Sequence, residues 1–213
     1  IQAMIDIVDL LSRSDIKSEL IKELERHTNT LSLLVENPNV EQQQLNSILK
    51  DIDHQLSQLH NPEFQPGKLF SKHELITSVK QRNMIAGGGC KFDLTGYHHW
   101  LNKPTEIRHS LIKDLYNDLS VIDKSIDLCL HILRNSASST PEIATSGFFQ
   151  KNINSDLICQ MLQITLDANI NAYPEVSASR HRFSIRFMSQ ENPEHRATQT
   201  KENIKFKLLC CVL

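Results

Sequence analysis

Arg182-Phe183-Ser184-Ile185-Arg186-Phe187-Met188 alternates polar and apolar residues at every step, and this stretch decides the architecture. A period of two is the signature of a strand: Phe183, Ile185 and Phe187 fall on one face, Arg182, Ser184 and Arg186 on the other. Downstream, Ile204, Phe206 and Leu208 alternate with Lys205 and Lys207. Upstream, Ile158, Gln160, Leu162, Ile164 and Leu166 are expected on one strand face, and Gly147-Phe148-Phe149-Gln150 reads as a strand end. Such segments form half-buried antiparallel strands, apolar side in and polar side out.

Before the Ser-, Thr- and Asn-rich linker Asn135 to Pro141 the period lengthens to that of a helix. Met4, Ile5, Val8 and Leu11 share one face. Ser14 and Asp15 offer an N-cap to a helix carrying Ile16, Leu20, Ile21, Leu24, Leu31 and Leu34. After Asn37-Pro38-Asn39, a near-heptad seam runs through Leu45, Ile48, Leu49, Ile52, Leu56 and Leu59; it fits a bundle helix or a dimer seam equally well. Ser71-Lys72-His73-Glu74 predicts a capping box for a helix over Leu75 to Arg82. Thr105 is expected to cap a further helix, with Ile107, Leu111 and Ile112 inward and the pattern continuing through Ile122, Ile126, Cys129, Leu130 and Leu133. The expected fold class is therefore α+β: a helical bundle domain over 1–135, suited to dimerisation, and a small antiparallel β domain over 142–213, suited to partner binding.

Composition narrows the function classes. The chain has 213 residues, 39% of them hydrophobic, and its 23 basic and 25 acidic residues leave a net charge of −2. No global basic field exists to support general polyanion binding. The longest apolar run, Leu208 to Leu213, has six residues, against roughly 18–20 for a membrane-spanning helix. Cys90, Cys129, Cys159, Cys210 and Cys211 are odd in number and irregularly spaced, which predicts reduced, mostly buried thiols. The terminal Cys210-Cys211-Val212-Leu213 fits a prenylation pattern, but the alternation just upstream favours a strand. The chain opens at Ile1 inside an apolar helical pattern, so a preceding segment is expected.

No catalytic constellation is visible. Gly87-Gly88-Gly89 lacks the Gly-Lys-Ser/Thr of a phosphate loop, and adjacent His98-His99 with Cys90 does not have metal-site spacing; Cys90 reads instead as a core thiol. No cofactor, metal, small-molecule substrate or membrane partner is expected.

Charge is nonetheless unevenly placed. Residues 1–60 sum to −5, while Ser179 to Met188 carries Arg180, Arg182 and Arg186 and no acid. If the last strand joins the same sheet, Lys205 and Lys207 share that outer face. Such a platform suits a short acidic peptide, because arginine forks grip carboxylates bidentately. The alternative is a nucleic-acid-binding regulator using the same basic strand, although stacking aromatics are expected to be missing with Phe183 and Phe187 inward.

Several blocks together resemble the ZapD family of bacterial cell-division proteins. These are Ser18-Glu19-Leu20-Ile21-Lys22-Glu23-Leu24, Lys80-Gln81-Arg82, the run Gly87-Gly88-Gly89-Cys90-Lys91-Phe92-Asp93-Leu94 with Trp100-Leu101, Gly147-Phe148-Phe149-Gln150, and the alternating stretch at 182–188. The resemblance implies a cytoplasmic, non-enzymatic homodimer that binds the C-terminal tail of the tubulin-like protein FtsZ. It implies bundling of FtsZ filaments, ring assembly at midcell and an indirect lowering of GTPase turnover. Among the tail-binding residues it implies Arg182, Arg186 and Arg13; Lys80, Arg82 and His98 match by position. Family members also begin with a strand and a further helix ahead of the position of Ile1.

Overall fold

The computed structural model describes residues 1–13, 15–85, 88–153, 159–179, 181–190, 192 and 194–212, leaving aside the side chains of 12, 13 and 212. Expectations placed on Ser14, Gly87, Ile158, Arg180 and Leu213, and on the side chain of Arg13, lie outside the described residues. The chain divides into two compact units, Ile1–Cys129 and Leu130–Leu213. The layout is α+β, helices first and antiparallel sheets after.

The first unit holds α1 (Gln2–Arg13), α2 (Ile16–Ser32), α3 (Gln42–His60), α4 (Lys68–Lys72), α5 (Glu74–Asn83), α6 (Thr95–Leu101), α7 (Thr105–Asp118) and most of α8 (Ser120–Asn135). Asp15 caps α2, its Oδ1 accepting from the Ser18 amide at 3.1 Å. Along α3, Leu45, Ile52 and Leu59 recur every seven residues and are all buried within this unit, with α2 packed alongside. Ile48, Leu49 and Leu56 of the same seam are half-buried. A separate cluster joins Ile5 of α1, Phe70 of α4, Ile76 and Val79 of α5, and Leu115 of α7.

Helix starts differ from expectation. Ser71 lies inside α4, where its hydroxyl donates to the Lys68 carbonyl at 2.9 Å, and the extended backbone of His73 caps α5 without a side-chain bond. The capping box fails because α4 has already drawn Ser71 into helical geometry. Pro104, not Thr105, is the N-cap of α7, since its extended conformation ends the preceding turn. Ile107 is exposed and Ile126 partly so, and the continuous pattern breaks at Leu119, which is buried between α7 and α8. The inward residues of these helices are Leu115, Leu119, Ile122, Cys129, Ile132 and Leu133.

The second unit contains β1 (Thr140–Ala144), β2 (Phe148–Asn152), β3 (Cys159–Thr165), β4 (Tyr173–Ala178), β5 (Arg182–Ser189), β6 (Thr198–Gln199) and β7 (Ile204–Val212). β1 already starts at Thr140, so Pro141 belongs to an edge strand instead of the linker, a position where its missing N–H breaks no ladder. Two antiparallel sheets form, β1-β7-β3 and β2-β5-β4, with β6 also pairing β5. They pack face to face over one core of Phe183, Ile185 and Phe187 from β5 and Ile204, Phe206 and Leu208 from β7. The Phe187 and Phe206 rings lie 5.1 Å apart and the Phe149 and Phe206 rings 5.2 Å apart, tying the layers together. A register shift between Cys159 and Met161 interrupts the alternation expected at Gln160, while Leu162, Ile164 and Leu166 still pack on the core. β7 absorbs Cys210 and Cys211, which pair with Leu162 and Met161. The thiols of Cys159 and Cys210 face each other at 3.0 Å, and burial is the main cause pushing Cys159 up to about 12. Cys90, expected in the core, is exposed.

The chain crosses from one sheet to the other at Ser146-Gly147, where φ is 49° and 70°. Both central residues of this two-residue turn are left-handed, as tight hairpins require. Asn203 accepts from the Ser146 amide at 2.9 Å, Gln199 donates to the Ser146 carbonyl at 2.9 Å, and a Cβ on Gly147 would stand 2.5 Å from the Thr200 carbonyl oxygen. Gly147→Ala is therefore expected to destabilise the protein by more than ~1 kcal/mol, seen as a lower urea midpoint; an unchanged midpoint would refute the geometry of this crossing.

His27 on α2 is fully enclosed, and neither ring nitrogen is hydrogen-bonded. Burial holds its pKa below the ordinary 6.5, outweighing the attraction of Glu23, while Arg26 acts in the same direction as burial. The unfolded chain takes up this proton more readily, so the stability from a neutral His27 is present above pH 6.5 and is lost as pH falls below it. Thermal melting should weaken between about pH 7.5 and pH 5.5, and His27→Leu should flatten that decline.

Candidate functional site

Along β5 the burial follows the pleat: Phe183, Ile185 and Phe187 are inside, Arg182 and Arg186 exposed. Burying three such side chains contributes on the order of 5–9 kcal/mol, and a slip of one residue would turn all three to water. The arginines are outward because the aromatic residues are inward. Four strand steps separate them, a distance of about 13 Å, with Ser184 midway.

Neighbouring strands complete the surface. On β2, Phe148, Gln150 and Asn152 stand opposite Arg186, Ser184 and Arg182. On β4, Glu175 and Ser177 stand opposite Arg186 and Ser184. A shallow groove of about 300 Å³ runs over this face, bounded by Arg182, Arg186, Gln150, Ser177 and Phe148. Among the described residues neither arginine is held in an ion pair, and Glu175 stays beyond ion-pair distance of its cross-strand neighbour. Among the described residues, nothing neutralises either guanidinium group.

Two expectations change here. Lys205 and Lys207 lie on β7, in the other sheet, so their outward face is opposite to that of the arginines and not continuous with it. The reason is pairing order: β7 is drawn between β1 and β3. Secondly, aromatics do accompany the cations, since Phe148 beside Arg186 and Tyr173 opposite Met188 are both exposed. The Ser146-Gly147 turn was the available signal, because it sets which face of β2 Phe148 occupies.

The remaining candidates belong to the first unit. Lys80 forms an ion pair with Asp9, linking α5 to α1. Arg82 Nη1 lies 3.4 Å from Asp93, whose other carboxylate oxygen accepts from the Cys90 thiol at 2.9 Å. Gly88 closes the same corner, where any Cβ would collide with the Arg82 carbonyl oxygen. His98 is half-buried on α6, beside the stacked Tyr97 and Trp100 rings. Among the described residues, Lys80 and Arg82 therefore have ion-pair partners that Arg182 and Arg186 lack. Among the described residues no three His, Cys, Asp or Glu side chains converge on a metal position, and no helix is long and apolar enough to cross a membrane.

The family model for the cell division protein ZapD matches residues 1–186. A cell division protein ZapD from Methylococcus capsulatus is 36% identical over 208 residues, spanning 98% of this chain and 81% of that relative. Relatives of the same name from Chromobacterium violaceum and Nitrosomonas eutropha are 32% and 35% identical over 211 residues, each covering 99% of this chain and 83% of its own length.

The geometry separates structural cations from available ones. Lys80→Ala removes a partly exposed ion pair and should cost up to ~1 kcal/mol, whereas Arg182→Ala should stay within ~0.5 kcal/mol of the parent. Urea unfolding of both variants checks this, and a larger loss at Arg182 would show that the outer face is needed for folding.

Proposed function

The chain belongs to the ZapD family of cell division proteins, and on that premise we propose that it binds the acidic C-terminal tail of FtsZ through the Arg182–Arg186 face. As a homodimer it cross-links FtsZ filaments into bundles in the cytoplasm, promotes assembly of the midcell ring and lowers GTPase turnover without chemistry of its own. The observation that carries this reading is the pair of arginines on one outward strand face with no ion-pair partner among the described residues.

Spacing suggests the mode of capture. An extended peptide advances at the same ~3.3 Å per residue as β5, so carboxylates four residues apart match Arg182 and Arg186 in turn. Phe148 supplies an apolar seat beside Arg186. Solvent-exposed pairs contribute only ~0.2–1 kcal/mol each, so one tail is held weakly. Two sites in a dimer, facing filaments that repeat their tails, turn weak capture into firm bridging. Arg13 and Arg180 are further candidates for contact with the tail.

A second reading, a nucleic-acid-binding regulator, draws on Phe148 and Tyr173 near the arginines. Glu175 on the same face and the small number of cations count against it.

Arg182→Glu and Arg186→Glu should each abolish pelleting of FtsZ bundles while leaving the melting temperature and dimer mass of the protein unchanged. Raising salt from about 0.15 M towards 1 M, which shortens the screening length from ~8 to ~3 Å, should weaken bundling in parallel. Undiminished pelleting by both variants would overturn the reading, as would tighter binding of single-stranded RNA than of the tail peptide.

A further inference from the structure

The two sheets share one core, so their outer faces point in opposite directions. We propose that the outer face of the β1-β7-β3 sheet is a second docking surface for an acidic segment, giving one chain two such surfaces back to back. The proposal rests on the reading above for the class of ligand, and extends it to residues that act independently of the arginines.

Lys205 and Lys207 project from this face at strand positions two apart, about 7 Å from each other. Their cross-strand neighbours on β1 are Ile143 and Pro141. Together with Leu166 these residues line a groove of about 650 Å³, wider than the one over the arginines. Its walls pair cations with apolar surface, and Ile143 is 55% exposed.

Two acids border the groove, and both are occupied. Glu142 is paired with Lys151 at 3.3 Å and accepts from the Thr140 hydroxyl at 3.2 Å. Asp167 Oδ1 accepts from the backbone amide of Asn169 at 3.0 Å and from its side-chain amide at 2.9 Å. Among the described residues the lysines themselves have no ion pair. The fitting occupant is an extended acidic peptide with carboxylates two residues apart and an apolar side chain over Ile143. No exposed aromatic lines the groove to stack a base. With sheets about 10 Å apart and closed by the Phe187–Phe206 and Phe149–Phe206 contacts, one short peptide does not serve both faces.

The test is a calorimetric titration of the full chain with a synthetic FtsZ tail peptide, with amide shifts followed residue by residue. Two peptides per chain are expected. Lys205→Gln with Lys207→Gln should reduce this to one, abolish the shifts on β1 and β7, and leave melting unchanged. Arg182→Glu with Arg186→Glu should likewise leave one, with shifts confined to β1 and β7; all four changes should weaken binding at least tenfold. One peptide per chain, with a count and affinity that the lysine variant does not alter, would overturn the second surface and leave the arginine site standing. Binding untouched by the arginine variant but lost with the lysine variant would overturn the earlier reading alone. Preference of the lysine face for single-stranded RNA over the peptide would also overturn the proposal.

Discussion

The pleat of a strand allows only two sides, and the second unit depends on how β5 and β7 use them. Each places alternate apolar residues into the same core, with Phe183, Ile185 and Phe187 meeting Ile204, Phe206 and Leu208. Their polar neighbours are thereby committed to solvent. Arg182, Arg186, Lys205 and Lys207 need no dedicated scaffold, because the hydrophobic gain that fixes register also fixes where the cations stand. The inner faces of the two strands hold the core, so outer-face charges can change without disturbing it.

In the first unit, several cations are held by carboxylates. Lys80 to Asp9 joins α5 to α1, Arg82 reaches Asp93, and Arg26 reaches Glu23 at 2.5 Å. The contrast matters more than the number of basic residues. An exposed arginine already bonded to a carboxylate must give up that partner to receive a ligand, whereas Arg182 and Arg186 have no ion-pair partner among the described residues. The corner around Gly88, Cys90 and Asp93 combines a helix end, a close backbone approach and a carboxylate that holds two partners.

Much of this was legible in the chain. Period-two alternation at Arg182–Met188 located both the core and the outward arginines, and helical spacing found the buried line Leu45, Ile52, Leu59. What could not be read was non-local. Whether β7 joins β5 or sits in another sheet depends on pairing order, which no local pattern states, so Lys205 and Lys207 were expected beside the arginines. Phe148 was missed because its side is set through the Ser146-Gly147 turn. Ser71 and Thr105 carry good capping chemistry, yet neighbouring backbone at Lys68–Lys72 and Pro104 settled the helix starts first. Gln160 shows the same limit, since a bulge is a property of two strands.

β5 and β7 are each the middle strand of their sheet, hydrogen-bonded on both sides. This placement has a mechanical meaning. A pull applied along Arg182 and Arg186, or along Lys205 and Lys207, enters the fold where two ladders resist together, and it must shear them at once instead of peeling a lone edge strand. Load passing from one sheet to the other crosses the interlocked rings of Phe149, Phe187 and Phe206. Load along either central strand is therefore resisted in shear by two ladders.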